Sequence, residues 1–154
     1  MKTYVLTVSK TFPKTHIKSG QNTDFVRQIT KVFTNENTKI HTIRANYDLW
    51  EKRAKEINEG KAILSIRYWS EKPYNSKQVE ICRLEKIGVQ KLVFKEYKLL
   101  GEIAIVPDRD VFHSYTIADI AKNDGLSFED FKEWFKKYDL NNPMVIIHFT
   151  QYRY

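Results

Sequence analysis

The stretch KIHTIRANYDLWEKRAKEINEGKAILSIRYW, from Lys39 to Trp69, changes its apolar period twice, and those changes set the class of the fold. Ile40-His41-Thr42-Ile43-Arg44 is β-branched and short, the composition of a strand. Asn46 then offers an N-cap for a helix over about Tyr47 to Asn58. Leu49, Trp50, Ala54 and Ile57 recur at helical spacing, and Gly60 supplies the C-terminal stop. From Ala62 to Trp69 the pattern returns to a strand, with Ile63, Ser65 and Arg67 on one face and Leu64, Ile66 and Tyr68 on the other.

Outward from this unit, the chain keeps mixing strands and helices. Tyr4 to Val8 predicts a first strand, and Lys10 to Gln21, with Pro13 and Gly20, a loop. Asn22 or Thr23 would cap a short helix carrying Phe25, Val26, Ile29 and Val32, followed by a polar turn over Thr34 to Lys39. Beyond Trp69, the segment Glu71 to Lys77 reads as a loop. Val79 to Phe94 reads as a long strand or hairpin interrupted at Gly88, and Tyr97 to Val106 as a further strand. Tyr115 to Lys122 predicts a short helix ending at Asp124-Gly125. Ser127 opens another in a capping-box-like Ser-Phe-Glu-Asp run, with Phe128, Phe131, Trp134 and Phe135 on one face and Lys136-Lys137 at its end. Met144 to Phe149 closes the chain as an apolar strand. One core served by uneven strands and interspersed helices indicates a single α+β domain, arranged as a small mixed β-barrel.

The 154 residues suffice for one domain that buries roughly 70% of its unfolded surface. A hydrophobic fraction of 42% and only five glycines and four prolines exclude a disordered chain. No run approaches the ~18 apolar residues of a membrane span, and the first residues lack a signal-peptide pattern. The single cysteine, Cys82, has no internal partner and reads as a small strand hydrophobe. These features point to a cytoplasmic protein, most simply a monomer. The net charge of +7, from 26 Lys and Arg against 19 Asp and Glu, favours an anionic partner such as nucleic acid. Four histidines and one cysteine show no metal-ligand spacing, and no phosphate loop or nucleophile triad is present, so no metal or cofactor is expected.

Four segments in one order resemble the ASCH family of the PUA-like fold. They are the Lys39-Ile40-His41-Thr42-Ile43-Arg44 run, Gly60 with the strand after it, Asn123-Asp124-Gly125-Leu126-Ser127 before an amphipathic helix, and the closing strand Val145 to Phe149. The likeness spans about Thr38 to Thr150 and implies a compact barrel with helices at its rim and a cleft for RNA or a nucleoside. Some ASCH proteins are small amidohydrolases that remove the acetyl group of N4-acetylcytidine. That resemblance implies Lys39 as base, Thr42 as nucleophile and Asp124 as proton donor, with aspartate where those enzymes carry glutamate.

The residues themselves set conditions on that chemistry. A threonine hydroxyl attacks only if a base removes its proton, and a lysine is a base near neutral pH only if burial lowers its pKa. Residues three apart on a regular strand face opposite ways, so Lys39 and Thr42 meet only if the backbone turns between them. Otherwise Lys39 is a solvated lysine beside a strand threonine. Arg44 shares a face with Thr42 and could hold a phosphate or a pyrimidine carbonyl, or pair with Asp48. His41 and His148 either face the cleft or are hydrogen-bonded in the core. The segment from Arg67 to Lys77 interleaves cations with Tyr68, Trp69 and Tyr74; either the rings stack unpaired bases, or Tyr68 and Trp69 pack into the barrel and the lysines are solvated. Arg67, Trp69, Tyr74 and Lys77 are therefore candidate ligand contacts, together with Arg44 and His41. A protein-docking role for the Phe/Trp-rich last helix is a third reading.

Overall fold

In chain order the strands and helices are β1 (Lys2–Thr7), α1 (Phe25–Thr30), β2 (His41–Ala45), α2 (Tyr47–Asn58), β3 (Ala62–Trp69), β4 (Gln78–Leu84), β5 (Gly88–Phe94), β6 (Glu102–Val106), β7 (His113–Thr116), α3 (Ile117–Asn123), α4 (Phe128–Phe135) and β8 (Met144–His148). The computed structural model describes residues 1–34, 39–94, 102–106 and 113–154. Among these residues the strands form two sheets rather than one closed barrel. The smaller has the order β1-β3-β4 and the larger β2-β8-β5-β6-β7. The α+β class stands, and no helix among the described residues is long and apolar enough to cross a membrane.

The strand–helix–strand unit forms as its residues require. Asn46 takes a left-handed conformation at φ 67° and its side chain accepts from the Leu49 amide, so α2 begins at Tyr47. Trp50, Ala54 and Ile57 are its buried stripe, each fully buried aliphatic side chain contributing about 1.5–3 kcal/mol. Leu49, expected in that stripe, is 40% exposed, because it lies beside rather than on the line through Trp50, Ala54 and Ile57. In the larger sheet Met144 to His148 are all buried between β2 and β5, the place an unbroken apolar run must take.

Elsewhere tertiary contacts redirect the local pattern. The expected Val79–Phe94 hairpin is two strands belonging to different sheets. Asn58 makes the separation, since its amide donates to the Ile87 carbonyl (2.9 Å) and its oxygen accepts from the Ile87 amide (3.0 Å). The residue before α1 is Asp24, at φ 68°, and it makes no side-chain cap; Thr23 instead accepts from the Phe25 amide and donates to the Ser9 carbonyl. His113 to Thr116, in part expected to be helical, pairs with β6 as β7, and Thr116 then caps α3. Ser127 accepts from the Asp130 amide (3.1 Å), but the Asp130 carboxylate takes Lys18 (2.8 Å) and leaves the capping box open. Residues 35–38 of the expected turn and 97–101 of the expected strand lie outside the described residues.

On α4, Phe131 and Phe135 are buried, and Phe128 and Trp134 pack against the same core. The stripe that suggested a docking helix is spent within the domain.

Candidate functional site

The residues expected to form one cleft divide between a buried polar cluster and a surface cavity. The cluster is built where the chain entering β2 lies against the end of α3. Ile40 donates to the Asn123 carbonyl (2.9 Å) and accepts from the Phe149 amide (2.9 Å), and Lys39 bridges to Asp124. Gly125, at φ 78°, permits this approach. A Cβ there would stand 2.9 Å from the Lys39 Cβ and 2.4 Å from the Gln28 side-chain oxygen.

Lys39 is only 1% exposed. Its ammonium donates to the Asp124 carboxylate (Nζ–Oδ1 2.9 Å) and the Asp124 carbonyl (2.8 Å), and sits 4.0 Å from the centre of the Phe25 ring. The carbonyl belongs to the negative end of α3, which suits a cation. Burial drives the Lys39 pKa below the ordinary lysine value, against the upward pull of Asp124. Burial, the largest influence on Asp124, would raise it, but the charge and hydrogen bond of Lys39 together with the interaction with His41 outweigh burial and hold the carboxyl below its usual range.

His41, on β2, is completely buried, and its Nδ1 lies 3.5 Å from the Asp124 Oδ1. That separation is too long for a full hydrogen bond, and among the described residues Nδ1 otherwise has no partner. At its other nitrogen, Nε2 is 2.7 Å from the Tyr154 hydroxyl, which also accepts from Asn123 (2.9 Å). With Asn123 donating to it, the Tyr154 hydroxyl donates to His41 Nε2, which puts the single proton of the neutral imidazole on Nδ1, facing Asp124. Burial lowers the His41 pKa and raises that of Tyr154 well above the phenol range. His148, paired across the strand with His41, bonds Gln90 (2.8 Å); burial, followed by the nearness of His41 and Arg153, pushes its pKa down to about 2.

Thr42 is also buried, and as the neighbour of His41 on a regular strand it projects from the opposite face. None of the hydrogen bonds of Lys39 reaches it. Arg44 reaches across to β1, where Nη2 donates to the Thr7 carbonyl (2.7 Å), and it does not pair with Asp48. The structure thus brings Lys39, His41 and Asp124 together; Thr42 is on the opposite face of β2, and Arg44, hydrogen-bonded to the Ile43 and Thr7 carbonyls, acts on Lys39 and Asp124 through its charge only. Cys82 is half-buried, and burial pushes its thiol up to about 11, so it is a poor nucleophile. Among the described residues no three His, Cys, Asp or Glu side chains gather as a metal site.

The second grouping lies at the ends of β1 and β3. These strands are parallel, with Thr7 opposite Arg67, so the loops that follow them meet at one edge. Between the loops is a cavity of about 530 Å³ lined by Lys10, Phe12, Lys14, Trp69, Glu71 and Tyr74, among others. Lys10 ties the loops together through the Ser70 carbonyl (3.0 Å). Tyr74 is 86% exposed and held at φ 64°, a conformation costly for a bulky side chain. Its ring centre is 5.2 Å from that of Trp69 at a 48° tilt.

Of the basic residues expected beside these rings, Arg67 is turned along the sheet to Ser65 (2.8 Å), Gln78 (3.3 Å) and Glu80 (3.8 Å), and Lys77 does not line the cavity. Lys10 and Lys14 take the place assigned to them. Their signal in the sequence was a loop with three lysines around Pro13, readable as a site only once β1 and β3 were known to be parallel. Comparison with protein-family models, with curated proteins and with solved structures gives no match.

Proposed function

We propose that this domain binds single-stranded RNA or a nucleoside, with Trp69 and Tyr74 as the platform for a base and Lys10 and Lys14 as phosphate contacts. One observation carries the reading: an exposed tyrosine at a strained backbone position, tilted against a tryptophan at the mouth of a 530 Å³ cavity. Strain of this kind persists where the surrounding structure holds it, and it is concentrated at ligand sites. Stacking on such rings contributes about 1–3 kcal/mol per base, and lysines at the rim add a salt-dependent attraction. The net charge of +7 and the resemblance of Lys39–Arg44, Gly60, Asn123–Ser127 and β8 to ASCH domains support the reading, and with it a PUA-like assignment of the two sheets.

Tryptophan fluorescence during titration with oligouridylate, repeated across salt concentrations, tests it. The expected result is saturable quenching whose log–log salt slope rises by about 0.7 for each phosphate contact. Tyr74→Ala should weaken binding about tenfold, in line with the loss of one stacked base. Binding that is absent at low salt, or indifferent to Tyr74→Ala, rejects the proposal.

A second reading, hydrolysis of an acylated nucleoside, is favoured by the convergence of Lys39 and Asp124 and by the lowered lysine pKa. Against it, the lysine donates to Asp124 and not to Thr42. Cytidine release from N4-acetylcytidine that disappears in Lys39→Ala and Thr42→Ala would decide for hydrolysis; release equal to a protein-free control decides against it.

A further inference from the structure

A separate cavity of about 820 Å³ lies at the other end of β3, where Ile63 contributes to its wall. Ile63 and Trp69 are six residues apart on one strand, which separates the two cavities by roughly 20 Å. Its apolar lining includes Phe149, Ile87 and Phe33, and Phe33 stands 61% exposed. Among the described residues the charged lining is three cations, Arg83, Lys86 and Arg153, against one acid, Glu85.

The three cations are not equivalent. Arg83 is held by Glu80 (2.9 Å), and Lys86 donates to the Asn58 carbonyl. Among the described residues Arg153 bonds no carboxylate. Its Nη1 donates to the carbonyls of Thr150 (2.8 Å) and Tyr152 (2.6 Å), which among the same residues leaves the edge formed by Nε and Nη2 unspent. The guanidinium also rests directly on Gly88, for a Cβ at that position would lie 2.0 Å from the Arg153 Cζ. A flexible side chain is thereby fixed by two carbonyls and a glycine seat, with one donor edge free beside a cavity that has aromatic walls.

We infer that this cavity binds a phosphomonoester bearing an aromatic ring, with Arg153 as the phosphate anchor and Phe33 as the contact for the ring. The volume falls within the range of small-molecule sites. A guanidinium edge matches two oxygens of one phosphate, and a phosphomonoester carries close to two negative charges at neutral pH, which suits the surplus of cations. Gly88 keeps the anchor in position by offering no side chain beneath it. The site is independent of the Trp69–Tyr74 platform.

The test is titration of the full chain with adenosine 5′-monophosphate, followed by calorimetry and by amide chemical shifts, with adenosine and inorganic phosphate as separate probes. Saturable binding of the monophosphate is expected, with shifts around Gly88 and Arg153, and at least tenfold weaker binding of either probe alone. Arg153→Ala should reduce affinity at least tenfold. Gly88→Ala keeps the charge but unseats the guanidinium, and should reduce it severalfold. Tyr74→Ala should leave this affinity unchanged. Arg153 is exposed, and a thermal melt matching the parent confirms that its variant folds. Equal affinity for adenosine or bare phosphate, an unchanged affinity in Arg153→Ala, or no saturation at millimolar monophosphate overturns the inference.

Discussion

Asp124→Asn isolates the electrostatics of the buried cluster. The substitution keeps the shape of the side chain and leaves the Asp124 carbonyl as an acceptor for Lys39, but removes the charge 2.9 Å from the ammonium. Deleting one partner of a buried pair costs about 3–5 kcal/mol when the other must stay charged. Lys39 has an escape, since it can fold in the neutral form. From its ordinary value of 10.5, deprotonation at pH 7.5 costs about 4 kcal/mol, at 1.36 kcal/mol per unit, and at pH 9.5 only about 1.4 kcal/mol. The variant should therefore lose about 3–4 kcal/mol relative to the parent near neutrality, and the deficit should narrow steadily as pH rises. Urea denaturation of both proteins at several pH values between 7 and 10 measures this directly. A companion variant, Lys39→Met with Asp124→Asn, removes both charges and should recover most of the loss at pH 7.5. A deficit below about 1 kcal/mol, or one that does not change with pH, would show that the pair does not carry the burial cost ascribed to it.

Two further outcomes follow from the same region. His148 and His41 are held neutral by burial, with folded pKa values below 6.5, so below pH 6.5 the unfolded chain binds protons that the folded one does not. Stability should thus be complete above that pH and fall on acidification toward about 2, losing up to about 1.4 kcal/mol per histidine by pH 5.5, and His148→Gln should shallow the slope in pH-dependent melts. Gly125→Ala combines a positive φ with a Cβ placed 2.9 Å from the Lys39 Cβ, and should cost more than the ~1 kcal/mol of strain alone; melting like the parent would mean that the Lys39–Asp124 contact has slack.

The polar cluster and the aromatic platform differ in how far each was readable in the chain. Lys39, His41 and Asp124 stood out as residue types, but strand spacing alone placed Lys39 and Thr42 on opposite sides. The fold meets the lysine with Asp124 by zipping Ile40 to Asn123, a contact between residues 83 positions apart that local pattern does not encode. Gln90 and Tyr154 complete the cluster from two distant segments, and as ordinary polar residues they gave no sign of it. Trp69 and Tyr74 were marked in the chain only as aromatics interleaved with cations, and in the fold their rings lie 5.2 Å apart. Their partners Lys10 and Lys14 were not legible, because parallel pairing of β1 with β3 is a long-range event.

Local sequence determined those elements whose boundaries depend on a single residue's chemistry. Asn46 starts α2, Gly60 ends it at φ 77°, Ser127 starts α4, and the apolar run of β8 requires the centre of a sheet. The tertiary structure decided which strands share a sheet, where Val79–Phe94 divides, and which charges are buried together. The reason is physical. Caps and turns are satisfied by neighbours a few residues away, whereas strand pairing and ion burial are settled by contacts whose loop-closure cost only the complete fold repays.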